Sequence, residues 1–189
     1  NVVIEQRYQW KLPPYIHWED SGSPLAQICQ LPPEFDFPRV NLPQWFHYTG
    51  PLQDPSGSEL ISFPSLSFPF APQQQLIQRS ALTITHAGMN TVLGALSSGV
   101  PLVAIPITSE QPGIAARLAR TGAGEVIPLS RLSVPKLRAV IQQVLTEDSY
   151  KQNAVRLQQA IHKAGGVSRA ADIIEKAVST SKPVLSSQL

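Results

Sequence analysis

The chain has 189 residues, of which 42% are hydrophobic and 15% charged, and its net charge is +2 at neutral pH. This length and composition can build one or two domains with a hydrophobic core, and the small net charge argues against a nucleic-acid partner. The single cysteine excludes an intramolecular disulfide framework and a cysteine-rich metal site, and it fits a reducing compartment. Because no apolar run reaches the length of a membrane span and no signal peptide is recognisable, we expect a cytoplasmic protein.

Proline usage divides the chain into two parts. Twelve of the 18 prolines lie in residues 1–72, and six lie in the remaining 117 residues. Long helices are therefore excluded from the first part. We predict the end of one helix over residues 2–10, stopped at Pro13 and Pro14, and two short strands at 25–30 and 45–49.

Two reactive residue types fall on these predicted strands. Cys29 ends an apolar run, so a buried, inert thiol is favoured over a nucleophile. His47 lies between aromatic residues in the sequence FHY, and such a histidine is more often packed in a core than used as a catalytic base. We predict a packed histidine.

A strand, a small-residue turn and a helical pattern follow one another over residues 82–97. His86 ends the β-prone run, and Gly88, Asn90 and Thr91 lie at the start of the helical pattern. The first N–H groups of a helix have no intrahelical partners and carry positive potential, so the junction can bind an anion such as a diphosphate. Alternatively, these polar residues only satisfy helix caps and loops.

A second apolar run, residues 100–106, is typical of a strand buried on both faces of a parallel sheet. It leads to Glu110 and Gln111, just before a predicted helix at 112–121. These two side chains should therefore lie at the same sheet edge as His86, one strand over. A carboxylate beside a carboxamide suits the hydroxyls of a sugar.

The segments APQ, THAGMNT, GVPLVAIP and EQ, in this order, resemble the donor-binding signature of the UDP-glycosyltransferase family, glycosyltransferase family 1. The similarity is greatest to the bacterial zeaxanthin (carotenoid) and macrolide glucosyltransferases, and SPLAQICQLPPEFDFPR and FHYTGPL match the same group more loosely. The resemblance implies an α/β fold: a Rossmann-like GT-B donor-binding domain with an incomplete parallel sheet, preceded by the Pro-rich end of an acceptor domain. The implied parts are an acceptor-domain remnant (1–50), a Ser/Pro-rich linker (51–69), the donor-binding domain (70–180) and a disordered tail (181–189).

The resemblance also implies a role for each matching residue. His86 contacts the diphosphate together with Asn90, Thr91 and the backbone around Gly88. Glu110 and Gln111 hold the hydroxyls of the donor sugar. Gln73 lies near the nucleoside, and the ring of Phe70 stacks on uracil. Neither a cofactor nor a metal ion is implied, since the helix end can supply positive potential.

Two departures from the family pattern stand out. Gly94 replaces the usual glutamate that binds the ribose diol, which removes roughly 1.5–3 kcal/mol of binding free energy. Residues 52–70 are too few for a βαβ unit, which needs about 30 residues. The chain is therefore expected to be either a truncated, internally deleted relative or a set of segments from a longer parent.

The implied activity is transfer of a hexosyl group, glucose, from a UDP-sugar to a hydroxyl of a lipophilic small molecule such as a carotenoid. The catalytic base belongs to the acceptor domain of the family, so no catalytic residue is assigned. A lipophilic acceptor would bring the protein to a membrane surface peripherally. The alternative is an inactive donor-domain remnant, or a nucleotide-binding module that needs a partner domain.

The C-terminal part reads as a strand at 125–129 followed by three helices. Apolar residues at helical spacing mark them, at 137–145, 157–161 and 170–178. In the family the last helix packs on the acceptor domain, so we expect part of its apolar face to be exposed. His162 falls on a polar stretch and is expected to be solvated.

Overall fold

The computed structural model describes residues 2–11, 22–52 and 72–188. Two parallel sheets lie in these ranges, so the predicted α/β class is confirmed. The small sheet pairs β1 (Gln27–Cys29) with β2 (Phe46–Tyr48). The main sheet has the order β3-β4-β5, formed by Thr83–Thr85, Leu102–Ala104 and Gly124–Val126.

Seven α-helices lie within the described ranges. They are α1 (Val2–Gln9), α2 (Gln73–Gln78), α3 (Met89–Ser97), α4 (Gln111–Thr121), α5 (Val134–Thr146), α6 (Asp148–Lys163) and α7 (Gly166–Thr180). Short 3-10 helices form at Leu129–Arg131 and Ser186–Gln188. All the helices except α2 follow from the sequence pattern. The six residues of α2 are mostly glutamine and are too few to show a helical period.

The strands are shorter than predicted because prolines bound them. Pro101 and Pro106 flank β4, and Pro128 closes the run that follows β5. Proline cannot donate a ladder hydrogen bond, so β4 starts after Pro101 and ends before Pro106, and the run after β5 ends before Pro128. The predicted strand at 125–129 is thus reduced to Gly124–Val126, and Leu129 begins the first 3-10 helix instead.

The central strand β4 is buried on both faces. Leu102 and Ala104 pack with apolar residues of α3, α4 and α6, whereas Val103 packs on the other side with Ile127, Val140 and Val144. All three β4 residues have no exposed area. Burial of the Leu102 and Val103 side chains stabilises the fold by about 1.5–3 kcal/mol each. The helices on both faces of β4 account for the uninterrupted apolar run in the sequence.

The small sheet is joined to α4 by the carboxylate of Asp36, whose side chain is 1% exposed. It accepts hydrogen bonds from Tyr48 Oη at 3.0 Å, Arg117 Nε at 3.1 Å and the backbone N of Phe37 at 2.9 Å. Arg39 forms an ion pair with it at 2.8 Å. Burial alone raises the pKa of Asp36, but these hydrogen bonds and charges outweigh burial and lower the pKa below its ordinary value.

Helix α7 and the residues after it pack on the small sheet. Ile173, Ala177 and Val184 form a cluster with residues 25, 26 and 28. Part of the apolar face of α7 stays exposed, as expected, since Ile174 is 52% and Val178 is 72% exposed.

Residues 181–188 differ from the disordered tail that the sequence favours. Val184 is 1% exposed, its N donates to the carbonyl of Leu25 at 2.8 Å, and Ser186 N donates to the carbonyl of Gln44 at 2.7 Å. One buried valine and backbone hydrogen bonds hold the segment. The composition of residues 181–188 is polar, so it does not predict that they are held in this way.

The first prediction concerns the contact between β5 and β4. A Cβ atom at Gly124 would lie 2.3 Å from the carbonyl oxygen of Leu102, so Gly124→Ala should reduce the free energy of unfolding by about 3 kcal/mol or more. The matched control is Gly113→Ala in α4, where the added Cβ would lie 3.6 Å from Arg117. Because alanine favours helix, the control should gain about 0.5 kcal/mol. Urea unfolding measures both, and equal effects would contradict the close approach of the two strands at Gly124.

The second prediction concerns the Asp36 carboxylate. Asp36→Asn should lower the free energy of unfolding at pH 7 by about 2–3 kcal/mol, because hydrogen bonds to a buried charge are lost. The control is Asp172→Asn on an exposed part of α7, which should change stability by less than about 0.5 kcal/mol.

The same pair of proteins tests the direction of the pKa change. Since the folded-state pKa of Asp36 is lowered, its stabilisation is present above the unfolded pKa of about 3.9 and is lost as the pH falls through the lower folded value. The stability gap between wild type and Asp36→Asn should therefore narrow below about pH 4. A gap that stays constant or widens during acid titration would rule out this account.

Candidate functional site

The turn between β3 and α3 has an unexpected left-handed residue. Ala87 has φ of 69° and is fully buried, and its backbone N donates to Thr85 Oγ1 at 3.3 Å. This conformation costs a non-glycine residue about 1–2 kcal/mol, and the surrounding core must hold it in place. Gly88, by contrast, has an extended backbone with φ of −64° and ψ of 136°.

Gly88 serves this turn by its size rather than by its backbone angles. A Cβ atom at this position would lie 2.8 Å from Nε2 of His86. The glycine thus leaves room for the imidazole beside the start of α3. His86 itself is exposed at the carboxyl end of β3.

The N-terminus of α3 has no side-chain cap. Gly88 occupies the N-cap position, and the first intrahelical bond runs from Val92 N to the carbonyl of Gly88 at 3.0 Å. The amides of Met89, Asn90 and Thr91 precede that bond, so they form the open positive end of the helix. Such an end can accept an anion, and Asn90 is exposed beside it.

A cavity of about 520 Å³ lies next to this helix end. Gln73, His86 and Thr91 line it, and Gln73 Nε2 donates to Thr91 Oγ1 at 3.2 Å. The remaining lining residues come from α2, β3 and the segment between them: Leu76, Ile77, Ser80, Leu82, Thr83, Ile84 and Thr85. Its size is within the range of small-molecule sites, about 300–1,000 Å³. Helix α2, which the sequence pattern does not reveal, is the element that brings Gln73 to His86 and Thr91.

The position of β3 helps to form this cavity. In the described part of the sheet β3 is an edge strand, paired only with β4. Ile84 is 47% exposed there, although it lies in the middle of the strand. The cavity therefore combines an apolar wall from β3 and α2 with polar groups near the start of α3.

Glu110 ends the loop after β4 and Gln111 begins α4, at the same sheet edge as His86, but neither residue lines this cavity. Glu110 is exposed at the N-cap position of α4. Gln111 Oε1 accepts hydrogen bonds from the backbone N of Ile107 at 2.8 Å and of Thr108 at 3.0 Å. The carboxamide oxygen therefore holds the loop, and its NH2 group is left as the donor.

Gly94 is buried within α3, facing α2. A Cβ atom here would lie 2.9 Å from Oε1 of Gln74, so the Gln74 side chain lies where a larger residue at position 94 would project. Gln74 is a residue that the sequence did not single out. Phe70, expected to stack on uracil, lies outside the described residues.

The remaining reactive side chains, two histidines and one cysteine, differ in how far they are exposed to solvent. His47 is 1% exposed and its Nε2 donates to the carbonyl of Val184 at 2.8 Å, so the prediction of a packed histidine is confirmed. Cys29 is half-buried, and burial raises the pKa of its thiol, which disfavours the nucleophilic thiolate. His162 is exposed on α6, as expected.

The described ranges contain neither a cluster of metal-binding side chains nor a membrane-spanning helix. Within residues 2–11, 22–52 and 72–188 there is no group of three or more His, Cys, Asp or Glu side chains able to hold a metal ion. None of the helices in that part of the chain is long and apolar enough to cross a membrane.

Solved structures show the same fold. CalG4, the calicheamicin glycosyltransferase, superposes with a TM-score of 0.77 at 18% identity, over 96% of this chain and 61% of its own. The spinosyn rhamnosyltransferase SpnG, solved with thymidine diphosphate, gives a TM-score of 0.53 at 22% identity, over 56% of this chain and 29% of its own. At these identities the likeness concerns the fold.

Sequence relatives give the family. The zeaxanthin glucosyltransferase of Pantoea ananas is 32% identical over 98% of this chain, and the chain spans 57% of that relative. Their alignment covers 246 positions, more than the 189 residues of this chain, so the relative has additional residues inside the matched region. The family model for UDP-glucoronosyl and UDP-glucosyl transferase matches residues 46–173. The chain therefore belongs to this family of glycosyltransferases, as its ordered motifs predict.

Proposed function

We propose that the cavity beside α3 binds the nucleoside diphosphate of a sugar donor, and that the protein transfers a hexosyl group, glucose, from a UDP-sugar to a hydroxyl of a lipophilic small molecule. One observation carries the proposal: Gln73, His86 and Thr91 line one cavity beside the uncapped N-terminus of α3. Similarity to a zeaxanthin glucosyltransferase supports a carotenoid as the acceptor. With such an acceptor we place the protein in the cytoplasm, in peripheral contact with a membrane.

The proposed chemistry concerns the leaving group. As the bond between the sugar and the diphosphate breaks, negative charge grows on the departing oxygen. In this proposal the free amides at the start of α3, the Thr91 hydroxyl and His86 stabilise that charge, and no metal ion is required. A helix N-terminus contributes about 0.3–1 kcal/mol when exposed and about 2 kcal/mol when partly buried.

The sugar would be held by the loop after β4. Glu110 offers two acceptor oxygens, and Gln111 offers its NH2 group because its oxygen is bound to the loop backbone. We assign the catalytic base to no described residue. His47 is buried on the small sheet, and His162 is exposed on α6.

The identity of the nucleoside depends on Gly94. Without a carboxylate at this position, the site lacks the bidentate contact with a ribose diol that the family resemblance implies, so it should discriminate weakly between UDP and thymidine diphosphate. The structure of SpnG contains thymidine diphosphate. Gly94 also favours the second candidate, a module that binds nucleotides weakly and needs a partner domain for activity.

The third prediction tests diphosphate binding directly. Calorimetric titration with UDP should give a dissociation constant between about 10 μM and 1 mM, and His86→Ala should weaken binding about tenfold or more. His162→Ala is the matched control, because His162 is exposed on α6 and does not line the cavity. Its affinity should equal that of the wild type.

The possible outcomes separate the two candidate functions. The transferase is supported if UDP binding requires His86 and the protein transfers glucose from UDP-glucose to a carotenoid hydroxyl. Binding without transfer supports the nucleotide-binding module. A folded chain that binds no UDP, or an equal loss in both histidine variants, would refute the proposed site.

The fourth prediction tests whether residue 94, which does not itself line the cavity, faces a bound ribose. Gly94→Glu should tighten UDP binding about tenfold, because a carboxylate can accept two hydrogen bonds from the ribose diol. The gain for thymidine diphosphate should be smaller, since its deoxyribose has one hydroxyl fewer. The Gln74 side chain must move aside, so the change is best made in a Gln74→Ala background.

Gly94→Gln in the same background is the control for the carboxylate. It has nearly the same shape without the charge, and it should show less than half of the gain in binding free energy. Equal gains for both nucleotides would mean that residue 94 does not face the ribose.

A further inference from the structure

Apolar side chains are exposed to solvent just beyond the carboxyl ends of β4 and β5. Ile107, three residues after β4, is 61% exposed, and Leu129, three residues after β5, is 50% exposed. Because β4 and β5 are parallel neighbours, both residues lie at the same edge of the main sheet. Leu132 and Val134 follow Leu129 in the chain and are 40% and 74% exposed. We call these four residues the apolar rim.

Local hydrogen bonds hold the segment that carries three of these side chains. Leu132 N donates to the carbonyl of Leu129 at 3.2 Å across a 3-10 turn, so these two side chains lie on one side of the turn. Ser133 Oγ then caps α5 by accepting a hydrogen bond from Lys136 N at 3.4 Å. Regular structure thus holds the apolar side chains in contact with water, and exposed apolar patches of this kind mark interaction surfaces.

Cations accompany the apolar rim. Residues 127–138 include Arg131, Lys136 and Arg138, all exposed, and no aspartate or glutamate. Arg138 lies one helical turn after Val134, on the same face of α5. Glu110 is an exposed carboxylate three residues after Ile107, so the cations outnumber it three to one. Exposed apolar side chains combined with cations are typical of proteins that bind the surface of an anionic membrane.

Helix α7 provides a contrast. Its residues Val167, Ile174 and Val178 are also exposed. Here, however, the carboxylates of Asp172 and Glu175 are exposed among the apolar residues. An anionic surface would repel these carboxylates. Charge therefore distinguishes the two apolar surfaces, and it favours the apolar rim as the one that meets anionic lipid.

We propose that the apolar rim docks on the surface of an anionic lipid bilayer. The apolar side chains enter the boundary between head groups and acyl chains, and Arg131, Lys136 and Arg138 lie against the anionic head groups. This inference identifies the surface for the membrane contact in the proposed function, and it rests on that function. Ile107 and Glu110 belong to the same loop, so docking brings the loop proposed to hold the sugar to the bilayer. A lipophilic acceptor dissolved in the bilayer then presents its hydroxyl close to that loop.

The experiment is co-sedimentation of the complete chain with lipid vesicles in the absence of nucleotide. Vesicles of phosphatidylcholine alone are compared with vesicles in which about a third of the lipid is phosphatidylglycerol. Binding to the anionic vesicles should be about tenfold tighter or more. Raising the salt concentration from about 0.05 M to about 0.5 M should weaken that binding about fivefold or more, because salt screens exposed charges.

Three variants, all on exposed side chains, localise the contact. The double variant Leu129→Ser/Val134→Ser should weaken binding to anionic vesicles about tenfold or more, because inserted apolar surface is lost. Arg131→Gln should weaken binding about fivefold, as expected for one cation near an anionic surface. The matched control is Ile174→Ser/Val178→Ser, which removes exposed apolar side chains from α7 and should leave the affinity unchanged.

The lipid contact and the nucleotide site are tested separately. His86→Ala should bind vesicles as the wild type does, and Leu129→Ser/Val134→Ser should bind UDP as the wild type does, because neither Leu129 nor Val134 lines the cavity beside α3. A chain that binds anionic vesicles but no UDP would support the lipid contact and refute the proposed donor site.

Three results would overturn the proposed lipid contact. The first is the absence of binding to anionic vesicles, or equal binding to both kinds of vesicle. The second is an equal loss of binding in the α7 control, which would mean that any exposed apolar residues suffice. The third is a chain that self-associates in light scattering and becomes monomeric in Leu129→Ser/Val134→Ser, which would make the apolar rim an interface between copies of the chain.

Discussion

The buried carboxylate of Asp36 joins the two parts of this chain. It lies in the loop after β1, and it contacts Tyr48 of the small sheet and Arg117 of α4. Three further contacts support the same junction: Arg120 of α4 donates to the backbone carbonyls of Glu34 and Asp36, and Arg117 lies over the ring of Phe37 at 4.6 Å. A charge this well buried is tolerated only when it is paired and hydrogen-bonded, so each partner depends on the others.

Helix α4 connects this junction to the candidate site. The helix is held at its C-terminal half by Asp36, and its first residue, Gln111, closes the loop after β4. The loop carrying Glu110 is therefore fixed at one end by β4 and at the other by a helix that the small sheet holds in place. The packing of the small sheet against α4 thus reaches the loop that carries Glu110 through one helix.

Much of this arrangement could be predicted from the sequence. Parallel strands place their carboxyl ends at one edge, so the runs ending near His86 and Glu110 were enough to predict that both residues lie there. The apolar run of β4 and the periodic helices α3 to α7 are long or regular enough to be recognised. The ordered motifs led to the family, which its family model confirms over residues 46–173.

Other features depend on tertiary contacts that no local pattern encodes. Helix α2 is too short and too polar to show a period, yet it positions Gln73. The left-handed residue of the turn is Ala87 rather than the neighbouring glycine, because burial in the core holds the alanine there. The residues around Val184 are held by backbone hydrogen bonds to the carbonyls of Leu25 and Gln44, which are distant in the sequence. Side-chain identity does not predict such bonds.

The two ends of the proposed donor site depend on different parts of the structure. The proposed diphosphate contact relies largely on the backbone amides at the start of α3, which exist whenever the helix forms, whatever side chains follow. The proposed nucleoside contact relies on side chains, and here position 94 is a glycine beside Gln74, neither of which lines the cavity. One substitution can therefore reduce discrimination between nucleosides and leave the helix end unchanged. We therefore expect affinity for a diphosphate to persist longer than discrimination between nucleosides in a chain that lacks residues found within its relatives.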